Sequence, residues 1–439
     1  MDKRKMWRTA IELGKDVLIA ALACSAVWML RSGGVWQRVS LTDDRIPEIT
    51  EQQVSAEDRA AAARPMSITA TLQEGTVPSR CVVRYDDAGV DLLFRQLAGL
   101  LVETLSSVGE PVTVDRTEWE EALSRAPGFC FDFQGEVPGS VLSGWLGVGR
   151  ELPEFVVRRL LLTTYGEDVA LYCYDLRGEN WLRFTTGVVS VAQLENAGEG
   201  LAADGAYYAF ESEITGNMAP DTVLITSPGP VPVCTAANPV VGGRSALEGI
   251  MEDLNINPSG CVFYPAAGED VARMDSDTLR LSTSGVLEYH ADEENARQFP
   301  VSAISGESEA FAAVESCRQI LKQAAAERCG QARFYLSCAE QTQQGWHLEF
   351  EYSLNGVRVA QEEGCAAAFE IRNGHITAFT LRLRSYVQGE QKQLLLPPAQ
   401  AAAAMNALSL RGKELQLTYL DGGEEYIAPN WTAVKDTTG

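Results

Sequence analysis

The run Val17 to Leu30, VLIAALACSAVWML, holds fourteen residues without a charge close to the start of a 439-residue chain, and it constrains where everything after it can fold. As a helix it spans ~21 Å, short of the ~30 Å hydrocarbon core of a bilayer. Ile11, Leu13, Val35 and Trp36 extend the apolar stretch, and Lys15 and Arg31 can snorkel to the interface. Lys3, Arg4, Lys5, Arg8 and Lys15 precede the run, so the positive-inside rule keeps the N-terminus in the cytoplasm. The expected layout is a cytoplasmic start over 1–16, a transmembrane helix over 17–36, and a single-pass plasma-membrane protein with the bulk of its chain outside the cytoplasm. A cleaved signal peptide and lipidation at Cys24 are the alternatives, although apolar sequence continues past Cys24 through Leu30. Within the run, Ala21 and Ser25 stand at a small-xxx-small spacing that lets two membrane helices approach closely, which makes them the candidate partner-binding residues. Simple retention in the membrane would use the same small residues.

Beyond the anchor the composition is that of a folded protein, with 46% hydrophobic and 22% charged residues. A net charge of -24 excludes a nucleic-acid surface, which needs clustered Lys and Arg, and confines lipid contact to the anchor and its basic flank. Ten cysteines, scattered without a CxxC pair, argue against zinc. Cys130, Cys173 and Cys338 fall in alternating strand patterns, where cysteine serves as a small buried hydrophobe.

Periodicity points to an α+β fold: mixed domains of antiparallel sheets and short helices after the N-terminal transmembrane helix. A polar, Ala-rich juxtamembrane linker is expected over 37–66. The first α+β domain, 67–230, should contain a long helix from Val90 to Ser106, a second helix opened by a Thr117/Glu120 capping box, and a strand carrying Phe129, Phe131 and Phe133 on one face. The Pro/Gly-rich segment 227–243 is the best boundary. A middle unit, 244–305, follows with a helix from Arg244 to Leu254 and a hairpin around Ser284-Gly285. The C-terminal unit, 306–435, should open on an amphipathic helix from Ser308 to Cys329, then show tight turns at Asn355-Gly356 and Asn373-Gly374 and an Ala-rich helix from Pro398 to Leu408.

Catalytic signatures are missing: no G-x-S-x-G elbow, H-E-x-x-H, Walker loop or dinucleotide-binding glycine pattern is present, and no cofactor or metal is implied. The three histidines are His290, His347 and His375. His290/Asp292 and His347/Glu349 each place a carboxylate two residues on, the same side of a strand, which a polar solvent-facing sheet explains without chemistry. No sequence context singles out a Cys–His couple.

Several phrases resemble the YycH regulatory proteins of Gram-positive bacteria: Trp119-Glu-Glu-Ala-Leu123, Phe129-Cys-Phe-Asp-Phe133 with Val137-Pro138, and Asp277-Thr-Leu-Arg-Leu-Ser282 with Gly285-Val-Leu-Glu-Tyr289. The C-terminal part, with Ile371-Arg-Asn-Gly-His-Ile376, Leu395-Leu-Pro-Pro398, Leu417-Thr-Tyr419 and Pro429-Asn-Trp431, resembles the related YycI domain. The resemblance implies a non-enzymatic extracytoplasmic regulator of a sensor histidine kinase of cell-wall homeostasis, WalK, acting partly through transmembrane-helix contacts and beside a paralogous YycH/YycI-type protein. It carries over no site residue. A binding module for a cell-envelope ligand is the alternative, and a cell-wall-processing enzyme a third.

Overall fold

Alternating and continuous apolar runs build two large sheets and two small ones, which the computed structural model describes over residues 54–435 apart from 75–76, 151, 217, 226–228, 241–242, 293–295, 297 and 407–412. The expected membrane span, with Ala21, Ser25 and Cys24, lies outside the described residues. Among those described, no helix is long and apolar enough to cross a membrane.

The first sheet has seven antiparallel strands in the order Val77–Arg84, Ser67–Glu74, Gly128–Pro138, Val156–Tyr165, Asp168–Asp175, Asn180–Thr186 and Val112–Val114. Its central strands are apolar on both faces because both faces are covered. Phe129, Phe131 and Phe133 meet the helix Asp87–Ser107, which buries Val90, Leu93, Phe94, Leu97, Leu101 and Leu105, and Phe94 packs edge-on against Phe131 at 6.1 Å. The opposite face carries Cys130, Leu161, Ala170 and Tyr172 against Trp119, Ala122 and Leu123 of the helix Arg116–Leu123. That second helix starts earlier than its sequence suggests. Asp115, not Thr117, is the N-cap, its carboxylate accepting from the Glu118 amide, because a carboxylate at the helix N-terminus also meets the positive end of the helix dipole.

The second sheet runs Val262–Ala266, Glu269–Met274, Asp277–Ser282, Val286–His290, His375–Arg382, Ala367–Arg372, Gly345–Leu354, Val357–Gln361, Lys413–Asp421 and Pro429–Lys435, with Arg333–Gln341 also paired to Gly345–Leu354. Strands expected in separate middle and C-terminal units therefore share one sheet, joined where Val286–His290 pairs with His375–Arg382. The pairing is antiparallel except between Val357–Gln361 and Lys413–Asp421, which run parallel. Part of the Pro/Gly-rich boundary segment is itself a strand: Val231–Ala237 lies between Ser385–Gln393 and Tyr426–Ile427. The helix Glu309–Ala324 starts at Ser308, whose hydroxyl accepts from the Phe311 amide, and ends five residues before Cys329.

Three contacts lock the sheets together. At the first, Gly135 sits in a register break of its strand so close to its neighbour that a Cβ would lie 2.0 Å from the Leu336 carbonyl oxygen. At the second, the Asn355-Gly356 turn caps the helix Asp87–Ser107: Asn355 has φ 52° and Gly356 φ 77°, the Asn355 Oδ1 accepts from the Asp87 amide, and its Nδ2 donates to the Tyr85 carbonyl. The third is a buried cluster of charges. Arg159 pairs with Asp132 at 2.9 Å, Asp221 at 2.8 Å and Glu414 at 2.7 Å, and Arg158 reaches the same Glu414 oxygen at 2.6 Å. Successive strand residues normally point to opposite faces. Here Arg158 lies opposite the irregular stretch between Asp132 and Val137, and both guanidinium groups converge on Glu414 of the other sheet.

Burial by itself would lower the pKa of Arg159, but the attraction of Asp132, Asp221 and Glu414 outweighs it and raises that pKa well above its ordinary value. Burial would likewise raise the Asp132 carboxyl, and Arg159 and Arg158 more than reverse this, holding it below 3.8. A depressed carboxylate contributes stability that is present above its unfolded pKa and lost as the pH falls through its folded one. The Asp132→Asn variant should accordingly lose about 3–5 kcal/mol at neutral pH, since it breaks the buried 2.9 Å ion pair of Asp132 with Arg159. It should also show a shallower loss of stability than the wild type below pH 4, both read from urea unfolding at a series of pH values. Asn355→Ala removes two hydrogen bonds and places Ala in a left-handed conformation, a combined cost of about 2–3 kcal/mol by the same assay.

Candidate functional site

Where several strands of the second sheet lie side by side, the face turned away from the core carries the polar members of each alternating pattern. Tyr289, Phe369 and Phe379 stack on the core side, and their neighbours His290, Glu370 and Ala378 project the other way. Cross-strand register then sets these side chains in a row: Thr278 faces His290, His290 faces Ala378, Ala378 faces Glu370, and Glu370 faces His347. A parallel row carries Arg280, Glu288, Thr380, Ala368 and Glu349. The small residues Ala368 and Ala378 in the middle leave a shallow groove of about 460 Å³ between His290 and Glu370.

His347 is the most elaborated residue of this face. Its Nδ1 lies 2.7 Å from Glu370 and its Nε2 3.3 Å from Glu349. Burial would push the imidazole pKa down, but the hydrogen bonds and charges of Glu370 and Glu349 prevail and raise it above 6.5. The contact to Glu349 follows from the i, i+2 rule read in the sequence, while the shorter one to Glu370 depends on strand register. His290 is exposed at the end of its strand, and His375 is half-buried beside the Asn373-Gly374 turn, where its Nδ1 lies 3.2 Å from the Asn373 carbonyl oxygen. His290 and His347 stand three strands apart, a separation of roughly 14 Å at the usual spacing, so the two do not share a reacting atom.

Nucleophilic cysteine chemistry needs a thiol whose pKa is lowered by a nearby cation or base. All nine described cysteines go the other way, because burial favours the neutral thiol: Cys130, Cys338 and Cys365 are each pushed up to about 12, and Cys81, Cys173, Cys234, Cys261, Cys317 and Cys329 also rise. None of the nine is paired with another. Among the described residues no group of three or more His, Cys, Asp or Glu side chains is arranged to hold a metal ion.

The architecture is that of a mixed α+β, YycH-like protein, and one solved structure carries the comparison. The crystal structure of YycH from Bacillus subtilis superposes with a TM-score of 0.55 over 88% of this chain and 95% of that chain, at 9% sequence identity. At that identity the likeness is one of fold. No family model matches the sequence, and no curated protein matches it.

With histidine-selective 13C labelling only three ring signals arise from the chain. The His347 resonance should titrate above pH 6.5, and Glu370→Gln should move its midpoint down, because the carboxylate that favours the imidazolium is gone.

Proposed function

We propose that this chain is a membrane-anchored, non-enzymatic regulator of a sensor histidine kinase in a two-component system, with its sheets outside the cytoplasm. What supports the reading is a fold shared with YycH across nearly the whole of both chains, together with the sequence phrases at Trp119–Leu123, Phe129–Phe133 with Val137-Pro138, and Asp277–Ser282 with Gly285–Tyr289 that resemble that family. A partner of this kind acts by binding one conformation of the kinase better than another. A difference of ~1–3 kcal/mol changes signalling several-fold to a hundredfold. The anchor, residues 17–36, supplies the helix that pairs within the membrane through Ala21 and Ser25, and the sheets supply contacts with the kinase and with a paralogous YycH/YycI-type protein. The row of His290, Glu370 and His347 is on this reading a solvated surface and not a reaction centre.

Replacing Ala21 and Ser25 together by Leu should weaken helix pairing. The expected result is reduced co-purification with the cognate kinase and an altered output of that kinase in cells. Unchanged co-purification and unchanged output would remove the helix mechanism.

A further inference from the structure

A cleft of about 460 Å³ lies between the helix Ala56–Ala63, the helix Glu309–Ala324 and the strand Arg333–Gln341, within the roughly 300–1,000 Å³ typical of small-molecule sites. Its apolar wall includes Ala61, Ala62, Trp145, Leu321, Leu336 and Phe350. The short helix over it is capped by Ser55 and held by ion pairs, Asp58 to Lys322 at 3.0 Å and Arg59 to Glu307 at 2.5 Å.

Charge is distributed unevenly around this cleft. Arg64, Arg318, Lys322 and Arg333 line it with Asp58 and Glu315. Asp58 is taken by Lys322, and Glu315 by Arg318 at 2.5 Å and by the Trp145 indole N–H at 2.7 Å. Arg64 and Arg333 both lean on one oxygen of Asp87, at 3.2 and 3.4 Å. Four cations thus face three carboxylates, a local excess of one positive charge in a chain of net charge -24. The Nε atoms of both Arg64 and Arg333 are enclosed and have no hydrogen-bond partner. Burial, with the nearby charge of Arg64, lowers the pKa of Arg333 to about 10, which marks how poorly the site compensates it. Two guanidinium groups that share one carboxylate oxygen carry more N–H donors than that oxygen can accept, and an oxyanion is the group that matches their geometry.

We propose that this cleft binds an amphiphile with a single negative charge, its oxyanion head held by Arg64 and Arg333 and its acyl tail laid along the apolar wall. The single excess charge selects a monoanion over a dianion. Asp58 and Glu315, already paired, leave no free carboxylate on the cleft for a cationic head. The volume suits one medium-length acyl chain. The inference stands whether or not the kinase reading holds.

The test is equilibrium binding of radiolabelled laurate to the purified full chain in an uncharged maltoside detergent, with dodecanol and short-chain phosphatidylglycerol as competitors. Saturable uptake of one laurate per chain, displaced at least tenfold less well by dodecanol than by unlabelled laurate, is the expected result. Displacement by phosphatidylglycerol at equal concentration points to a phosphodiester headgroup as the source of the anion, and failure to displace points to a free carboxylate. Arg333→Met should weaken laurate binding at least tenfold. Ala62→Phe, which fills the cleft without touching a charge, should do the same with an unchanged melting temperature, and it decides the matter if Arg333→Met fails to fold. Uptake that does not saturate, equal displacement by dodecanol, or unaltered binding in Ala62→Phe would overturn the proposal.

Discussion

The ion cluster of Arg158, Arg159, Asp132, Asp221 and Glu414 is the constraint on which the arrangement of the sheets depends. A guanidinium removed from water survives only where carboxylates surround it at hydrogen-bonding distance. Asp132 comes from the same sheet as the two arginines, Asp221 from just before the short strand Val223–Leu224, and Glu414 from a C-terminal strand. The two guanidinium groups meet their carboxylates only when these segments, more than 250 residues apart at the extremes, are brought together. Apolar burial drives each sheet to form, but it is non-directional. The cluster adds a geometric condition that sliding one sheet past the other would violate.

Two close approaches make that condition stricter. Gly135 lies where no side chain fits beside Leu336, and the Asn355-Gly356 turn of one sheet serves as the cap of a helix packed on the other. Asp87, at the start of that helix, also anchors Arg64 and Arg333. The same region therefore joins the sheets, holds the first described helix and borders the basic cleft. A ligand in the cleft would touch the segment that leads back toward the N-terminus, which places a binding event and the position of the Ala56–Ala63 helix in direct contact.

On the proposed reading, function in such a molecule lies in surfaces more than in a reaction centre. The second sheet offers solvent a polar face on which His347 is held between Glu349 and Glu370, while the described thiols are pushed toward their neutral form by burial. The fold likeness to YycH, at 9% identity a likeness of fold, and the sequence phrases that resemble that family bear on the proposed reading from different directions.

Local patterns were legible in the sequence because their causes are local. The Phe129/Phe131/Phe133 alternation, the leucine spacing of the helix Asp87–Ser107, the Asn-Gly turns and the contact of His347 with Glu349 all follow from the periods of strand and helix and from the left-handed tolerance of Asn and Gly. The cap of the helix Arg116–Leu123 is less legible, since Asp115 and Thr117 both precede a possible first turn and it is the Asp115 carboxylate that accepts from the Glu118 amide. Tertiary structure alone decided the rest: that Val231–Ala237 is a strand, that strands from 262 to 435 share one sheet, that Glu370 meets His347 across neighbouring strands, and that Arg64, Arg333 and Asp87 meet beside a cleft. Those are pairings between distant segments, fixed by strand register and by the desolvation of charges, and neither has a signature in the spacing of neighbouring residues.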